Sequence, residues 1–274
     1  MNRTAPGLLT AFACALAMLA GCSQTQPAAA PSGTAEGPTA AATSSATGAP
    51  STTATAPAGS ASPSPSEPAK VDCTKLKCVA LTFDDGPGPK TPTLLATLVK
   101  EKVPATFFMV GQMVKQHPDT SRQIAQTPGM TVGNHTMTHP NLRLIGIAKA
   151  TREMTDNTKL IAKVTGVKVR FMRPPYGSHN SATDAVAKKL GQAVVNWSAG
   201  ALDWQYNTPA KIVDVTLPQI APGAIVLAHD IHPWTIEAVP TLIKKLRAKG
   251  YTLVSLDDIL RNPRAGNTYS RGLH

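Results

Sequence analysis

Short apolar runs alternate with amphipathic stretches from residue 71 onward. Cys78–Phe83 and Ala105–Val110 have the length and composition of buried strands, whereas Thr91–Glu101 and Ile147–Val164 repeat apolar residues at helical spacing. The other predicted strands are Met130–Gly133, Val169–Met172, Ala193–Trp197, Ala224–Ala228 and Thr252–Ser255. The other predicted helices are Gln112–His117, Ser121–Gln126, Ala182–Leu190, Pro209–Leu217, Thr235–Lys249 and Leu256–Leu260. About seven strands that alternate with helices favour one domain built as a parallel barrel or a doubly wound sheet.

The two ends of the chain lack this alternation. Residues 22–70 are almost wholly Ala, Ser, Thr, Pro and Gly, without any aromatic or large aliphatic side chain after Cys22. Such a segment cannot bury a core, so we expect a disordered linker whose ends lie ~40 Å apart as a flexible coil. The folded domain is predicted over residues 71–262. Residues 263–274 form a polar tail that we expect to be frayed.

The first residues have the pattern of an export signal. Arg3 precedes an apolar run from Leu8 to Ala20, which is short for a membrane span. The following Gly21-Cys22 resembles the end of a bacterial lipobox, which implies that residues 1–21 are removed and that Cys22 is lipidated. An ordinary cleaved signal with an incidental Cys22 is the alternative. We therefore predict an exported protein, anchored by lipid to the outer face of the cell membrane at the cell wall.

Cysteine usage and charge fit that location. With Cys14 in the removed segment and Cys22 lipidated, Cys73 and Cys78 remain as an even pair, and we favour a local disulfide over a zinc site. The formal net charge is +11. Only two basic and two acidic residues precede residue 71, so the positive surplus belongs to the predicted folded domain. A basic exported domain suits acidic envelope polymers or anionic lipid, and we expect no nucleic acid partner.

Polar side chains follow the predicted strands at their carboxyl ends. Asp84 and Asp85 end the first strand, and His135 and His139 follow the third. Later strands are followed by Arg173, by Asp203, and by the pair His229 and Asp230. In a barrel, these strand ends converge on one face, so the pattern predicts a single active site there.

The paired aspartates and histidines indicate a metal-dependent hydrolase. His135 and His139 lie on one side of a helical turn, and two imidazoles with one carboxylate leave a coordination position open for water. Neighbouring strand residues point to opposite sides, so one of Asp84 and Asp85 should bind the metal and the other should act as a base. The alternatives are a solvated turn or helix cap for the aspartates and surface or core positions for the histidines.

Five segments resemble, in order, the motifs of the polysaccharide deacetylase family, also called the NodB-homology or carbohydrate esterase family 4 group. They are Thr82–Pro87, His135–Pro140, Arg173–Gly177, Asp203–Trp204 and Leu227–His229. The resemblance covers about residues 71–262. It implies an α/β fold, a distorted (β/α) barrel forming a single catalytic domain. It also implies a divalent metal, zinc before cobalt, nickel or manganese, and removal of acetyl groups from glycans.

The resemblance also implies a role for each matching residue. Asp85, His135 and His139 would hold the metal, while Asp84 would be the general base, kept ionised and oriented by Arg173. On the other side of the site, His229 would be the general acid and Asp203 would orient it, and the backbone N–H of Tyr176 would bind the oxyanion.

Substrate-binding residues follow from the same motifs. They are Tyr176, Trp204, Leu227, Pro174 and Pro175. Trp204 and Leu227 would wall the pocket for the acetyl methyl group, with core packing as the alternative for both. The fourth motif departs from the family pattern, because Gly200 stands where an Asp is frequent, and this leaves open any contact which that Asp makes.

We predict N-deacetylation of N-acetylglucosamine-containing glycan, either peptidoglycan or chitin-like oligomers, by a monomer. An O-deacetylase acting on acetylated xylan shares the same motifs. A non-haem iron oxygenase shares the two histidines and one carboxylate, but neither the α/β alternation nor the second Asp. A non-catalytic carbohydrate-binding module would not need a complete set of base, ligands and acid.

Overall fold

The computed structural model describes residues 71–272, so the predicted signal segment, Cys22 and the linker lie outside the described residues. Nine strands form one sheet: β1 (Lys77–Asp84), β2 (Ala105–Met109), β3 (Met130–Asn134), β4 (Phe171–Met172), β5 (Ala193–Val195), β6 (Ala199–Gly200), β7 (Ala224–His229), β8 (Tyr251–Leu253) and β9 (Thr268–Tyr269). Within the described range, no helix is long and apolar enough to cross a membrane.

Eight α-helices of the described region connect or flank the strands. They are α1 (Thr91–Lys100), α2 (Gly111–Gln116), α3 (Pro118–Gln126), α4 (Ile147–Thr165), α5 (Ser181–Lys189), α6 (Pro209–Thr216), α7 (Pro233–Ala248) and α8 (Leu256–Leu260). Two single-turn 3₁₀ segments, Pro175–Gly177 and Leu217–Gln219, complete the list. The predicted helices are all present, with ends within a few residues of the predicted ones.

The strands run parallel in the order β6-β7-β1-β2-β3-β4-β5-β9, and β8 pairs with the start of β1. At the far end of this path, β9 pairs with β5, and Arg271 then forms a bridge with Ala224 at the start of β7. The C-terminal segment thereby links β5 to β7 and closes the curled sheet. The expected distorted (β/α) barrel is confirmed.

Both faces of β1 are buried, which explains its unbroken apolar sequence. Val79, Leu81 and Phe83 pack in the largest hydrophobic cluster together with residues of α1, α6 and α7. The alternate residues of β1 belong to a second cluster with Phe108 and Phe171, which extends over the other face of the sheet. Asp84 continues this second series, so its carboxylate is buried with the residues of the second face.

The C-terminal tail differs from the prediction. The sequence after Arg261 is polar and predicted to be frayed, but Thr268–Tyr269 forms β9 and Gly272 donates its N–H to Gly223 O at 2.8 Å. Main-chain hydrogen bonds, which composition does not reveal, order this segment. β6 was also not predicted, since two residues carry no periodic signal. The predicted disulfide is confirmed: Cys73 and Cys78 are bonded, with Cα atoms 5.5 Å apart.

Candidate active site

The carboxyl ends of β1 and β3 bring three potential metal ligands together. Asp85 Oδ1 lies 3.4 Å from His135 Nε2 and 3.2 Å from His139 Nε2. One potential ligand atom from each of Asp85, His135 and His139 lies within 4.8 Å of the other two, so these residues form a candidate metal site in residues 71–272. His135 and His139 follow β3, and Asp85 follows β1, as the strand-end pattern predicts. The expected helical turn between the two histidines is wrong, because Thr136 and His139 have left-handed backbone conformations that a helix does not contain.

The distances fit a tetrahedral metal. Zn–N and Zn–O bonds of about 2.0–2.1 Å put neighbouring ligand atoms about 3.3 Å apart, close to the two measured separations. His135 Nδ1 lies 2.7 Å from the carbonyl oxygen of Arg173, an acceptor only, so Nδ1 carries the proton and Nε2 keeps its lone pair for a metal. Asp85 Oδ1 is buried without a hydrogen-bond partner in the described part of the chain, as expected for an atom whose partner is a cation.

The charges of the cluster also suit a cation. Burial would raise the pKa of Asp85, but the close approach of His135 and the electrostatic influence of His229 and His139 lower it to about 2. Burial together with the charge of His135 lowers the pKa of His139 despite the opposing Asp85 and Asp84. An ionised carboxylate and a neutral imidazole are the protonation states in which these groups bind metal.

Asp84 is held by an arginine on the inner side of this cluster. Arg173 Nη1 donates to Asp84 Oδ1 at 2.8 Å and to Thr82 Oγ1 at 2.7 Å. The other carboxylate oxygen, Asp84 Oδ2, lies 3.6 Å from His135 Nε2. Asp84 therefore has one oxygen fixed by the guanidinium and the second beside the metal ligands, which suits a base acting on a metal-associated water.

A second carboxylate–cation pair lies across the site. His229 Nδ1 donates to Asp203 Oδ1 at 2.7 Å, and His229 Nε2 lies 3.8 Å from Asp85 Oδ2. Burial would lower the pKa of His229, but the hydrogen bond and charge of Asp203, with the charges of Asp84 and Asp85, raise it to about 9. This raised pKa favours a protonated His229 at neutral pH, and its Nε2 is directed to the same ligand cluster as Asp84 Oδ2.

These groups face one cavity of about 440 Å³. Its lining residues are Asp84, Asp85, His135, His139, Tyr176, Trp197, Trp204, Leu227 and His229. Tyr176 and Trp204 are 68% and 50% exposed as whole residues, so they form its rim, while Leu227 is buried at its wall. Trp204 also contacts His229 edge-on, with ring centroids 5.6 Å apart.

Two of the predicted substrate-binding residues, Pro174 and Pro175, do not lie at the cavity surface with Tyr176, Trp204 and Leu227. Pro174 and Pro175 are buried and are not among the residues that line the cavity. Pro174 precedes and Pro175 begins the 3₁₀ turn Pro175–Gly177, in which Tyr176 has φ 60° and ψ 14°. The Tyr176 N–H donates to no acceptor within residues 71–272. The two prolines therefore lie directly before Tyr176, whose amide remains available, and their contact with a substrate stays a prediction.

Several residues near the site were not predicted from the sequence. Trp197 lines the cavity, and Thr235 donates a hydrogen bond to Asp203 Oδ2 at 2.6 Å. Asp230 was noted at a strand end without a role. The Asp230 carboxylate occupies the space that a Cβ on Gly86 would need. Burial raises the pKa of Asp230 to about 7, although the hydrogen bond from Thr91 acts to lower it. The residue after Asp85 must therefore be glycine for Asp230 to pack there.

Comparisons with known proteins agree with this geometry. The family model for polysaccharide deacetylase matches residues 71–195. A peptidoglycan-N-acetylglucosamine deacetylase of Bacillus cereus is 37% identical over 196 residues, which cover 67% of this chain and 71% of that protein. A chitooligosaccharide deacetylase of Bradyrhizobium is 35% identical over 204 residues, covering 69% of this chain and 93% of the relative.

The chain belongs to the polysaccharide deacetylase family. The solved structure of a T48 deacetylase with substrate has a TM-score of 0.69 and 38% identity, covering 73% of this chain and 99% of that one. The peptidoglycan-N-acetylmuramic acid deacetylase PdaC of Bacillus subtilis is 35% identical over 184 residues, covering 67% of this chain but only 38% of PdaC. The family assignment therefore concerns the folded domain, and the relatives differ in the sugars that their names give.

Proposed function

We propose that this domain is a metal-dependent N-deacetylase that removes acetyl groups from N-acetylglucosamine units of peptidoglycan or chitin-like oligomers. The observation that carries the proposal is the convergence of three ligand atoms, a base and an acid on one cavity of about 440 Å³. The names of the relatives, which include peptidoglycan and chitooligosaccharide deacetylases, support the same substrate class.

Asp85, His135 and His139 are the residues that would hold the metal, with zinc favoured by the two imidazoles and the tetrahedral spacing and cobalt, nickel or manganese as alternatives. When bound, a divalent cation supplies a Lewis acid for the attacking water and for the acetyl oxygen. Asp84 then takes one proton from that water, because its free oxygen lies beside the ligand cluster while Arg173 fixes the other.

The chain's remaining groups complete the hydrolysis. The N–H of Tyr176 donates to the carbonyl oxygen as it gains negative charge, and His229 gives its Nε2 proton to the sugar nitrogen as the C–N bond breaks. The products are acetate and a free amine. Trp197, Trp204 and Leu227 offer apolar surface for the acetyl methyl group.

A cell-envelope location, which the peptidoglycan deacetylases among the relatives support, would suit a wall polymer as substrate. We propose that Cys22 carries a lipid and that the monomeric domain works at the outer face of the cell membrane, on the tether of residues 22–70. The basic surplus of the domain suits an anionic envelope. Replacing Cys22 by Ser and following the protein between membrane and medium fractions tests the anchor, and unchanged membrane association would contradict it.

The reaction and its substrate can be tested together. The purified domain, loaded with Zn²⁺, is assayed for acetate release from N-acetylglucosamine oligomers, peptidoglycan and acetylated xylan, beside a His135→Ala variant as the ligand-deficient control. We expect release from the N-acetylated glycans that disappears in the variant. Faster release from xylan would instead favour the O-deacetylase, and tight glycan binding without acetate release would favour a non-catalytic binding protein.

A further inference from the structure

The segment that carries both histidine ligands, residues 135–139, has an unusual backbone. We call it the histidine loop. Thr136 has φ 67° and His139 has φ 59°, so two residues with side chains adopt left-handed conformations. A residue with a side chain is strained in this conformation and persists there only where surrounding contacts determine it. Contacts outside the histidines must therefore hold this loop.

Some of these contacts come from the loop and the strand before it. Asn134 Oδ1 accepts the N–H of Thr136 at 2.8 Å, and Thr136 Oγ1 accepts the N–H of His139 at 3.1 Å. From α4, Asn157 Nδ2 donates to Asn134 Oδ1 at 2.8 Å and to Met109 O at 2.9 Å. This network fixes the end of β3 and the beginning of the histidine loop. It includes no hydrogen bond to Thr138, which is held by another residue.

That residue is Glu153, one helical turn before Asn157 on α4. Glu153 Oε2 accepts the N–H of Thr138 at 2.8 Å, and Oε1 accepts the Thr138 hydroxyl at 2.8 Å. The Glu153 residue is 8% exposed, and no Lys, Arg or His of the described chain lies within ion-pair distance of its carboxylate. A buried carboxylate without a cation is costly unless hydrogen bonds satisfy it. Both oxygens of Glu153 accept hydrogen bonds from Thr138, the residue next to His139.

We propose that Glu153 is a positioning residue for the metal site, holding Thr138 so that His139 keeps its Nε2 within ligand distance of Asp85. The proposal rests on the metal site proposed above. Truncating Glu153 leaves the Thr138 N–H and hydroxyl without a partner, and the left-handed His139 can then relax. Changes to groups that orient metal ligands typically weaken metal affinity by about 10–100-fold.

The test is the dissociation constant for Zn²⁺, measured on the full-length protein by competition with a chromophoric chelator. We expect Glu153→Ala to bind Zn²⁺ about 10–100-fold more weakly than the unchanged protein. Glu153→Gln should stay within about threefold, because its amide oxygen can accept the Thr138 N–H while its amide NH₂ donates to the hydroxyl. Asp156→Ala is the matched control, because Asp156 is an exposed acid on the same helix.

Further readouts separate positioning from general stability. A merely structural role would lower the thermal midpoint of metal-free Glu153→Ala but leave its Zn²⁺ affinity unchanged, and that result overturns the proposal. If Glu153→Ala does not fold, Thr138→Val serves instead: it keeps the N–H bond and removes the hydroxyl bond. We expect it to weaken Zn²⁺ binding by several-fold, and unchanged affinity would also overturn the proposal.

The same measurements distinguish failure of the metal site itself. His135→Ala removes a ligand and should lose high-affinity Zn²⁺ binding. If the unchanged protein binds no Zn²⁺, or if His135→Ala binds it equally well, the proposed function and the positioning role fail together. If His135→Ala loses Zn²⁺ while Glu153→Ala retains full affinity, the positioning role alone is wrong.

Discussion

Two buried carboxylates in this site each hold a cation, yet the cations differ in kind. Asp84 is paired with Arg173, whose side chain has no exposed surface. The guanidinium also donates to Val195 O, Thr82 Oγ1 and Asn196 O at 2.7–3.1 Å and packs 4.2 Å from the Phe108 ring centroid. Burial lowers the pKa of Arg173 while Asp84 opposes this, but arginine stays protonated in proteins.

Asp203 is paired with a cation that can lose its proton. Its Oδ1 accepts from His229 Nδ1, and its Oδ2 accepts the His229 N–H at 2.7 Å. Burial would raise the pKa of Asp203, but these bonds and the charge of His229 lower it. The His229 side chain is 14% exposed, and its Nε2 faces the cavity.

In the proposed mechanism, this difference between the cations lets two similar pairs serve opposite proton transfers. A base needs a fixed positive neighbour that never competes for the proton, and a fully engaged arginine provides it. A general acid must itself carry and release a proton, and a histidine with one nitrogen anchored and the other free can do so. Each of the following variants changes one side of this comparison.

The largest effect is expected for Asp84→Asn. The amide cannot take the proton from the attacking water, so kcat should fall by about 10²–10⁴-fold, while Asp85, His135 and His139 still bind metal. The change also leaves Arg173 buried without its carboxylate, which costs about 3–5 kcal/mol of unfolding free energy. Steady-state kinetics, elemental analysis and thermal unfolding measure the three consequences.

Asp214→Asn is the control for this substitution, because Asp214 is exposed on α6. It should leave kcat, metal content and thermal midpoint unchanged. Full activity in Asp84→Asn with normal metal content would exclude Asp84 as the base. A loss of metal in that variant would show instead that Asp84 belongs to the ligand set.

A smaller and pH-dependent effect is expected for Asp203→Asn. The raised pKa of His229, about 9, means that the pairing stabilises the fold below pH 6.5 and that this contribution is lost as pH rises through about 9. Activity that needs protonated His229 is lost in the same direction. Without Asp203, the pKa of His229 falls, so the alkaline limb of kcat/KM should move to lower pH.

NMR titration of His229 in metal-free protein measures this shift directly, and the pH profile of the loaded enzyme measures its consequence. A divalent cation on Asp85 cancels part of the attraction which that carboxylate exerts on His229, so the alkaline limb of the loaded enzyme should lie below pH 9. An alkaline limb that stays in place in Asp203→Asn would contradict the acid role of His229.

The sequence predicts this comparison only in part. Asp84, Arg173, Asp203 and His229 were found because parallel strands deliver polar residues at one edge, and a polar residue after an apolar run is conspicuous. Arg173, which follows β4, is 89 residues from Asp84 in the sequence, and the resemblance to the family motifs, rather than any local pattern, suggests their pairing. The barrel was predictable because strand and helix periods differ clearly.

The supporting residues gave no such signal. Glu153 and Asn157 lie on an amphipathic helix rich in polar residues, where a buried acid looks the same as the exposed Asp156. Trp197 follows a strand and is typical of core packing. β9 consists of two polar residues ordered by main-chain bonds. In each case the function of the residue depends on tertiary contacts that hydrophobic periodicity does not encode.

The smallest effect is expected for Tyr176→Phe. In the proposed mechanism, Tyr176 contributes through its N–H. Its ring contacts His139 at a centroid distance of 4.8 Å, and its hydroxyl makes no hydrogen bond within the described domain. Phenylalanine keeps the ring and the amide, so we expect kcat/KM within about twofold of the unchanged enzyme, because surface changes of this kind have little effect on the fold. Kinetics on N-acetylglucosamine oligomers provide the measurement. A loss above tenfold would assign a substrate contact to the hydroxyl. A small effect would leave the two carboxylate–cation pairs as the side chains that move protons, with Tyr176 acting through its main chain.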